Sequence, residues 1–138
     1  MKKIFVIEDD KDIADFLEIA LCERYTVLAK RNGTNLLPVL TQFMPDLILI
    51  DNQIGQRNAS EILDEIRSAD YSLKIPLILF SGHPDIAAIA IKLKADAYLA
   101  KPFNLVDLYS CIAAVLEKND VIFSPVAFNA VGNVAQTD

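Results

Sequence analysis

Histidine occurs once in the 138 residues (His83), cysteine twice (Cys22 and Cys111), and tryptophan not at all. A single histidine makes a histidine-based metal centre untenable. Two cysteines far apart in sequence match neither a CxxC pair nor a metal spacing, so both thiols are expected to be buried as small apolar groups in a reducing compartment. No apolar run approaches the roughly 18 residues that a membrane-spanning helix requires. Basic clusters are also missing. The net charge is −6, which argues against nucleic acid, because phosphate contacts need a positive surface. The segment Met1–Asp10 is too short in apolar residues for a secretory leader: Ile4–Ile7 runs straight into Glu8-Asp9-Asp10. The expected compartment is the cytoplasm, with no membrane and no nucleic acid among the partners.

What remains is an ordinary globular composition, 53% hydrophobic and 23% charged, of a length suited to one domain with a core. Five apolar, β-branched runs punctuate it: Lys3–Glu8, Tyr25–Lys30, Asp46–Asp51, Ile75–Ser81 and Ala97–Ala100. The first, third and fourth contain unbroken apolar stretches, which suits strands covered on both faces in a parallel sheet. Between them the apolar period changes to i, i+3, i+4, i+7. It appears in Ile13, Phe16, Leu17, Ala20; in Leu36, Val39, Leu40, Phe43; and in Ala59, Ile62, Leu63, Ile66. It returns in Ile86, Ile89, Ala90, Leu93 and in Leu108, Cys111, Ile112, Val115. Each stripe predicts the core-facing side of an amphipathic helix. Cap residues agree: Asp10 or Asp12 before the first helix, Asn58 before the third, Asn104 before the fifth. Pro38 falls in the first turns of the second helix, where it costs least.

Five strands alternating with five helices predict an α/β fold, a doubly wound (βα)5 with a five-stranded parallel sheet. In such sheets ligands bind at the carboxyl ends of the strands, near the point where strand order reverses. The residues there are Glu8-Asp9-Asp10, Asp51, Ser81 and Lys101. Carboxylates gathered in one place repel one another, and a divalent cation relieves that repulsion. Mg²⁺ suits oxygen ligands of this kind and keeps waters or phosphate in its remaining positions. A carboxylate beside it can attack a phosphoryl donor to give an acyl phosphate. A lysine and a hydroxyl can then hold the phosphoryl oxygens.

The pieces Ile7-Glu8-Asp9-Asp10, Pro45-Asp46-Leu47-Ile48-Leu49-Ile50-Asp51, Leu79-Phe80-Ser81-Gly82 and Asp96-Ala97-Tyr98-Leu99-Ala100-Lys101-Pro102-Phe103 stand in this order. Together they closely resemble the response-regulator receiver domain of two-component signalling, over residues 2 to about 118. The resemblance implies a flavodoxin-like strand order 2-1-3-4-5, with Asp51 as phosphoacceptor and Asp9 with Glu8 as metal ligands. It also implies the main-chain carbonyl of Gln53 as a further ligand and Ser81 and Lys101 as the phosphoryl-binding pair. Ser81 with Tyr98 would form the hydroxyl–aromatic switch, and Gln53 and His83 would tune how long the phosphoryl group survives. The family usually has Asp in place of Glu8, Pro in place of Gly55 and Gly in place of Ala59. Gly55 is therefore expected to loosen the loop after Asp51.

The resemblance further implies a signalling domain rather than an enzyme, with a sensor histidine kinase or phosphotransfer protein upstream and an unidentified protein target downstream. A homodimer could form through the fourth helix, fifth strand and fifth helix, since Ala87, Ala88, Ile91, Val106 and Ala113 point away from the buried stripes. Residues 1–118 are expected to be the receiver. Residues 119–138 form an extension too short for an output domain, strand-like over 119–128 and a tail from Gly132. The bland readings differ in scope: Asp9 and Asp51 as strand-end caps, Tyr98 as a core aromatic, His83 as a loop residue. A haloacid-dehalogenase-type phosphatase needs a second Asp where Gln53 stands, and a flavodoxin cannot place three carboxylates beside its phosphate. The alternative that survives is a pseudo-receiver, a binding module that works without phosphorylation.

Overall fold

Aliphatic runs without a polar residue are stable as strands only where both faces are covered. In the computed structural model, which describes residues 1–69, 75–117, 126–128 and 134–136, they are covered. The chain divides into two compact units, Met1–Ile75 and Pro76–Asp138.

The first unit runs β1 (Lys3–Ile7), α1 (Lys11–Leu21), β2 (Thr26–Lys30), α2 (Leu36–Phe43), β3 (Leu47–Asp51), β4 (Gln53–Ile54), β5 (Arg57–Asn58) and α3 (Ala59–Ser68). Strand β1 pairs in parallel with β2 on one side (Ile4 opposite Val27) and with β3 on the other (Ile4 opposite Leu47). Its side chains Ile4–Ile7, like Leu47–Ile50 of β3, are buried. The second unit runs β6 (Leu77–Ser81), α4 (Ile86–Leu93), β7 (Ala97–Ala100), α5 (Leu105–Glu117), β8 (Val126–Phe128) and β9 (Val134–Gln136). Strands β6 and β7 are parallel, with Ser81 opposite Ala100. Strand β8 adds to β7 in parallel and β9 returns antiparallel along β8.

The caps act as their chemistry suggests. Asp10 accepts from the amides of Asp12 and Ile13 and opens α1, which decides between the two candidate caps. Asn58 accepts from the Glu61 amide at α3, and Asn104 from the Asp107 amide at α5. Helix α2 starts differently, from a left-handed Asn35 with no side-chain cap bond, and carries Pro38 in its first turn.

Several expectations need correction. The buried face of α1 is Ala14, Leu17 and Leu21, one step from the expected Ile13-Phe16-Leu17-Ala20 stripe, and Phe16 is 42% exposed. Apolar residues at 13, 14, 16, 17, 20 and 21 fit either register, and packing against the sheet selects one. Cys22 is exposed, because it lies past the last buried turn as the C-cap residue of α1; Cys111 is buried as expected. Residues 134–136 form a strand rather than a tail. Val126–Phe128, within the stretch expected to be strand-like, form β8, and the remaining residues of the extension lie outside the described residues.

Candidate functional site

The acidic site grows from the ends of two neighbouring strands. The Glu8 amide donates to the Lys30 carbonyl at 3.0 Å, so the β1–β2 ladder continues one residue past β1. That fixes Glu8 as a wholly buried side chain, while Asp9 next to it is exposed. Asp51 closes β3 and is half-buried. One carboxylate oxygen from each of Glu8, Asp9 and Asp51 lies within 4.8 Å of the others. At such a separation two negative charges repel by roughly 1 kcal/mol in water and by 3–4 kcal/mol at an effective dielectric near 20. Three oxygen donors graded from buried to exposed suit a hard divalent cation whose outer positions stay open to water or phosphate. Asp10 is committed elsewhere, as the α1 cap.

The loop after Asp51 carries a regular element. Strands β4 and β5 form a small hairpin (Gln53 opposite Asn58, Ile54 opposite Arg57). Gly55 sits at its turn with φ of 61°, a left-handed conformation that side chains with a Cβ resist. Its amide donates to Asp9 Oδ2 at 2.9 Å, and its carbonyl accepts from Gln53 Nε2 at 2.8 Å. Arg57 anchors the hairpin, donating to the Gly33 carbonyl at 2.6 Å and pairing with Glu65 at 2.8 Å. Sequence reasoning missed this hairpin, because two-residue strands have no period to detect.

In the second unit, Ser81 ends β6 with its side chain buried. Its Oγ accepts from the His83 amide at 3.0 Å, and its carbonyl accepts from the Lys101 amide at 2.9 Å. The structure thus brings Ser81 and Lys101 together at adjoining strand ends. Lys101 Nζ stands 5.0 Å from the centre of the Phe80 ring, against which Phe103 packs edge-on at 6.2 Å. The Lys101–Pro102 peptide is cis. Tyr98 lies level with Leu79, two residues before the Ser81–Ala100 pair, and so shares a sheet face with Ser81. It is 6% exposed. His83 is an exposed loop residue whose Nδ1 accepts from the Asp85 amide.

One buried acid escaped the sequence reading. Asp107, in the first turn of α5, is 1% exposed, and neither carboxylate oxygen accepts a hydrogen bond among the described residues. Its only signal was the Asn104-x-x-Asp107 spacing, which resembles a capping box. A negative charge in the first turn of a helix is favoured by the helix dipole.

The family described as "Response regulator receiver domain" matches residues 4–113. Among solved structures, the chain is similar to the N-terminal domain of the nisin resistance regulator NsrR, a lantibiotic response regulator. The identity is 30%, over 85% of this chain and 99% of that one, with a TM-score of 0.75. It is also similar to a response regulator receiver domain protein from Clostridium thermocellum (27% identity, 84% and 94% covered, TM-score 0.73). A third likeness is to the chemotaxis response regulator CheY4 of Vibrio cholerae (20% identity, 83% and 98% covered, TM-score 0.74). The fold shared with such structures is the expected doubly wound (βα)5 with flavodoxin-like strand order 2-1-3-4-5, its strands being β2, β1, β3, β6 and β7.

Proposed function

The chain belongs to the response regulator receiver domain family, and on that premise we propose that it is a phosphoacceptor switch: phosphoryl transfer to Asp51 changes which protein it binds. The observation that carries this reading is the Glu8–Asp9–Asp51 group, whose oxygens lie within 4.8 Å of one another at the ends of β1 and β3.

Glu8 and Asp9, with Asp51 and the Gln53 carbonyl, would hold Mg²⁺, which supplies positive charge against the carboxylates and the incoming phosphoryl oxygens. An oxygen of Asp51 attacks phosphorus in line, the bond to the donor breaks, and an acyl phosphate results. The donor is a phosphohistidine of a sensor kinase or phosphotransfer protein. In this reading Lys101 and Ser81 receive the new charge. To do so, Lys101 turns its ammonium group to a phosphoryl oxygen, and the Ser81 hydroxyl turns its proton toward another. Tyr98, on the same sheet face as Ser81, follows the hydroxyl and reshapes the neighbouring surface. In the same reading Gln53 and His83 tune the lifetime of the acyl phosphate.

The surface that reads out this change is assigned to α4, β7 and α5, where Ile91, Leu105 and Val106 are 49%, 40% and 68% exposed. Strand β8 runs along β7, so a downstream protein or a second copy would dock mainly on the two helices. Among the described residues no helix is long and apolar enough to cross a membrane, and the relay this reading requires operates in the cytoplasm. The receiver is assigned to residues 1–118, with 119–138 as its extension.

The test is mass spectrometry after incubation with acetyl phosphate and Mg²⁺. The wild type should gain one phosphoryl group and Asp51→Asn none. Equal labelling of both would remove Asp51 as acceptor, and no labelling of the wild type would favour a pseudo-receiver.

A further inference from the structure

Gly55 is held from both sides: its amide donates to Asp9 Oδ2 at 2.9 Å, and its carbonyl accepts from Gln53 Nε2 at 2.8 Å. The first bond spans 46 positions of sequence, so it is a product of the fold. Nothing lies within 4 Å of a Cβ built on Gly55. Crowding therefore does not explain glycine here; the left-handed φ of 61° does. That conformation aims the amide at the carboxylate.

We propose that the Gly55 amide is a positioning group for the acidic site, fixing the rotation of the Asp9 carboxylate so that its other oxygen faces a divalent cation. This rests on the reading of Glu8, Asp9 and Asp51 as a cation site. A carboxylate bound to a metal through one oxygen keeps lone pairs on the other, and a hydrogen bond there orients the ligand. The donor also partly offsets the negative charge gathered among the three acids before any cation arrives. The bond persists when the site fills, and the β4–β5 turn is thereby tied to the geometry of the acids. Proline at this position has no amide hydrogen to give, so a chain with proline here lacks this support.

Two measurements on the full chain test the proposal. The first is amide hydrogen exchange in metal-free buffer. Although Gly55 is exposed, its amide should exchange at least about tenfold more slowly than in Asp9→Ala, whereas Glu8→Gln should leave it protected. Equal rates in wild type and Asp9→Ala would overturn the positioning role. The second is Mg²⁺ titration followed by amide shifts. Gly55→Pro, which removes the donor, should weaken binding about tenfold, in the range seen when a group orienting a metal ligand is lost. Gly55→Asn keeps the amide and tolerates positive φ, and it should stay close to wild type. If Gly55→Asn weakens binding as much as Gly55→Pro, the turn's shape rather than its amide matters, and the proposal fails while the cation site stands. A wild type that shows no response to Mg²⁺, with Gly55 still protected, would remove the cation reading instead, and the coupling with it.

Discussion

Aspartates at the two ends of the strands behave in opposite ways. At the amino ends, Asp46 just before β3 exchanges two bonds with Lys3 of β1. Its carboxylate accepts from the Lys3 amide and its own amide donates to the Lys3 carbonyl, both at 2.8 Å. Asp96 just before β7 repeats the arrangement with Leu77 of β6, again at 2.8 Å for both bonds. Each carboxylate satisfies a backbone donor that lies ahead of the ladder. At the carboxyl ends of β1 and β3, Glu8, Asp9 and Asp51 converge on each other. At the amino ends each acid is matched to a backbone amide, and at the carboxyl ends three acids meet in a group that could hold a metal ion. The same side chain thus stabilises or stresses the fold according to what faces it.

This contrast can be broken most sharply at the amino ends. Asp46→Ala or Asp96→Ala leaves a partly buried amide without its acceptor and should cost about 1–3 kcal/mol. In urea denaturation the midpoint should fall by the same amount with and without Mg²⁺. A loss that Mg²⁺ restores would mean that the amino-end acids also serve the cation site. Asp51→Asn should act in the opposite direction. Without metal it removes one of three mutually repelling charges and should gain about 1 kcal/mol, while the extra stability that Mg²⁺ confers on the wild type shrinks. If Asp51→Asn is instead less stable in metal-free buffer, local bonds to the carboxylate outweigh the repulsion and the contrast fails.

The smallest effect is expected where an acid meets a base in open water. Lys11 pairs with Asp15 one turn along α1, 63% and 47% exposed, and hydrogen bonding to that carboxylate raises the lysine pKa. A raised lysine pKa adds stability at neutral pH and loses it as pH climbs through the lysine range. Solvent screening and the lysine-first order, which opposes the helix dipole, reduce the gain. Lys11→Gln should therefore melt with the wild type at pH 7 and at pH 11. A clear drop at pH 7 alone would show that exposed pairs contribute more here than the model of strand-end acids allows.

Much of the architecture was legible because its signals are local. Ile4–Ile7 and Leu47–Ile50 carry no polar residue, and only a doubly covered strand satisfies that pattern. The α3 stripe Ala59-Ile62-Leu63-Ile66 and the α5 stripe Leu108-Cys111-Ile112-Val115 are buried as read. On α4, Ile86, Ala90 and Leu93 are buried and Ala88 and Ile91 face outward as expected, whereas Ala87, expected to face outward, and Ile89, expected in the stripe, are both half-buried. Failures fell where local information is ambiguous. Helix α1 has apolar residues enough for two faces, and Cys22 follows the turn at which burial stops. Asp107 puts an acidic residue into a buried position that hydrophobic patterning assigns to an apolar one.

The chain's own order of residues determined which groups stand at the strand ends: three adjacent acids after Ile7, one after Ile50, a hydroxyl after Phe80, a lysine after Ala100. Chemistry of that kind is written in residue identity and needs no coordinates. Only the tertiary structure decided that Glu8 is buried while Asp9 is exposed, that their oxygens meet Asp51 within 4.8 Å, and that Asp9 accepts a hydrogen bond from the Gly55 amide. Those facts depend on strand register and on chain segments more than 40 positions apart, and no local propensity encodes a contact between groups that the fold alone brings together.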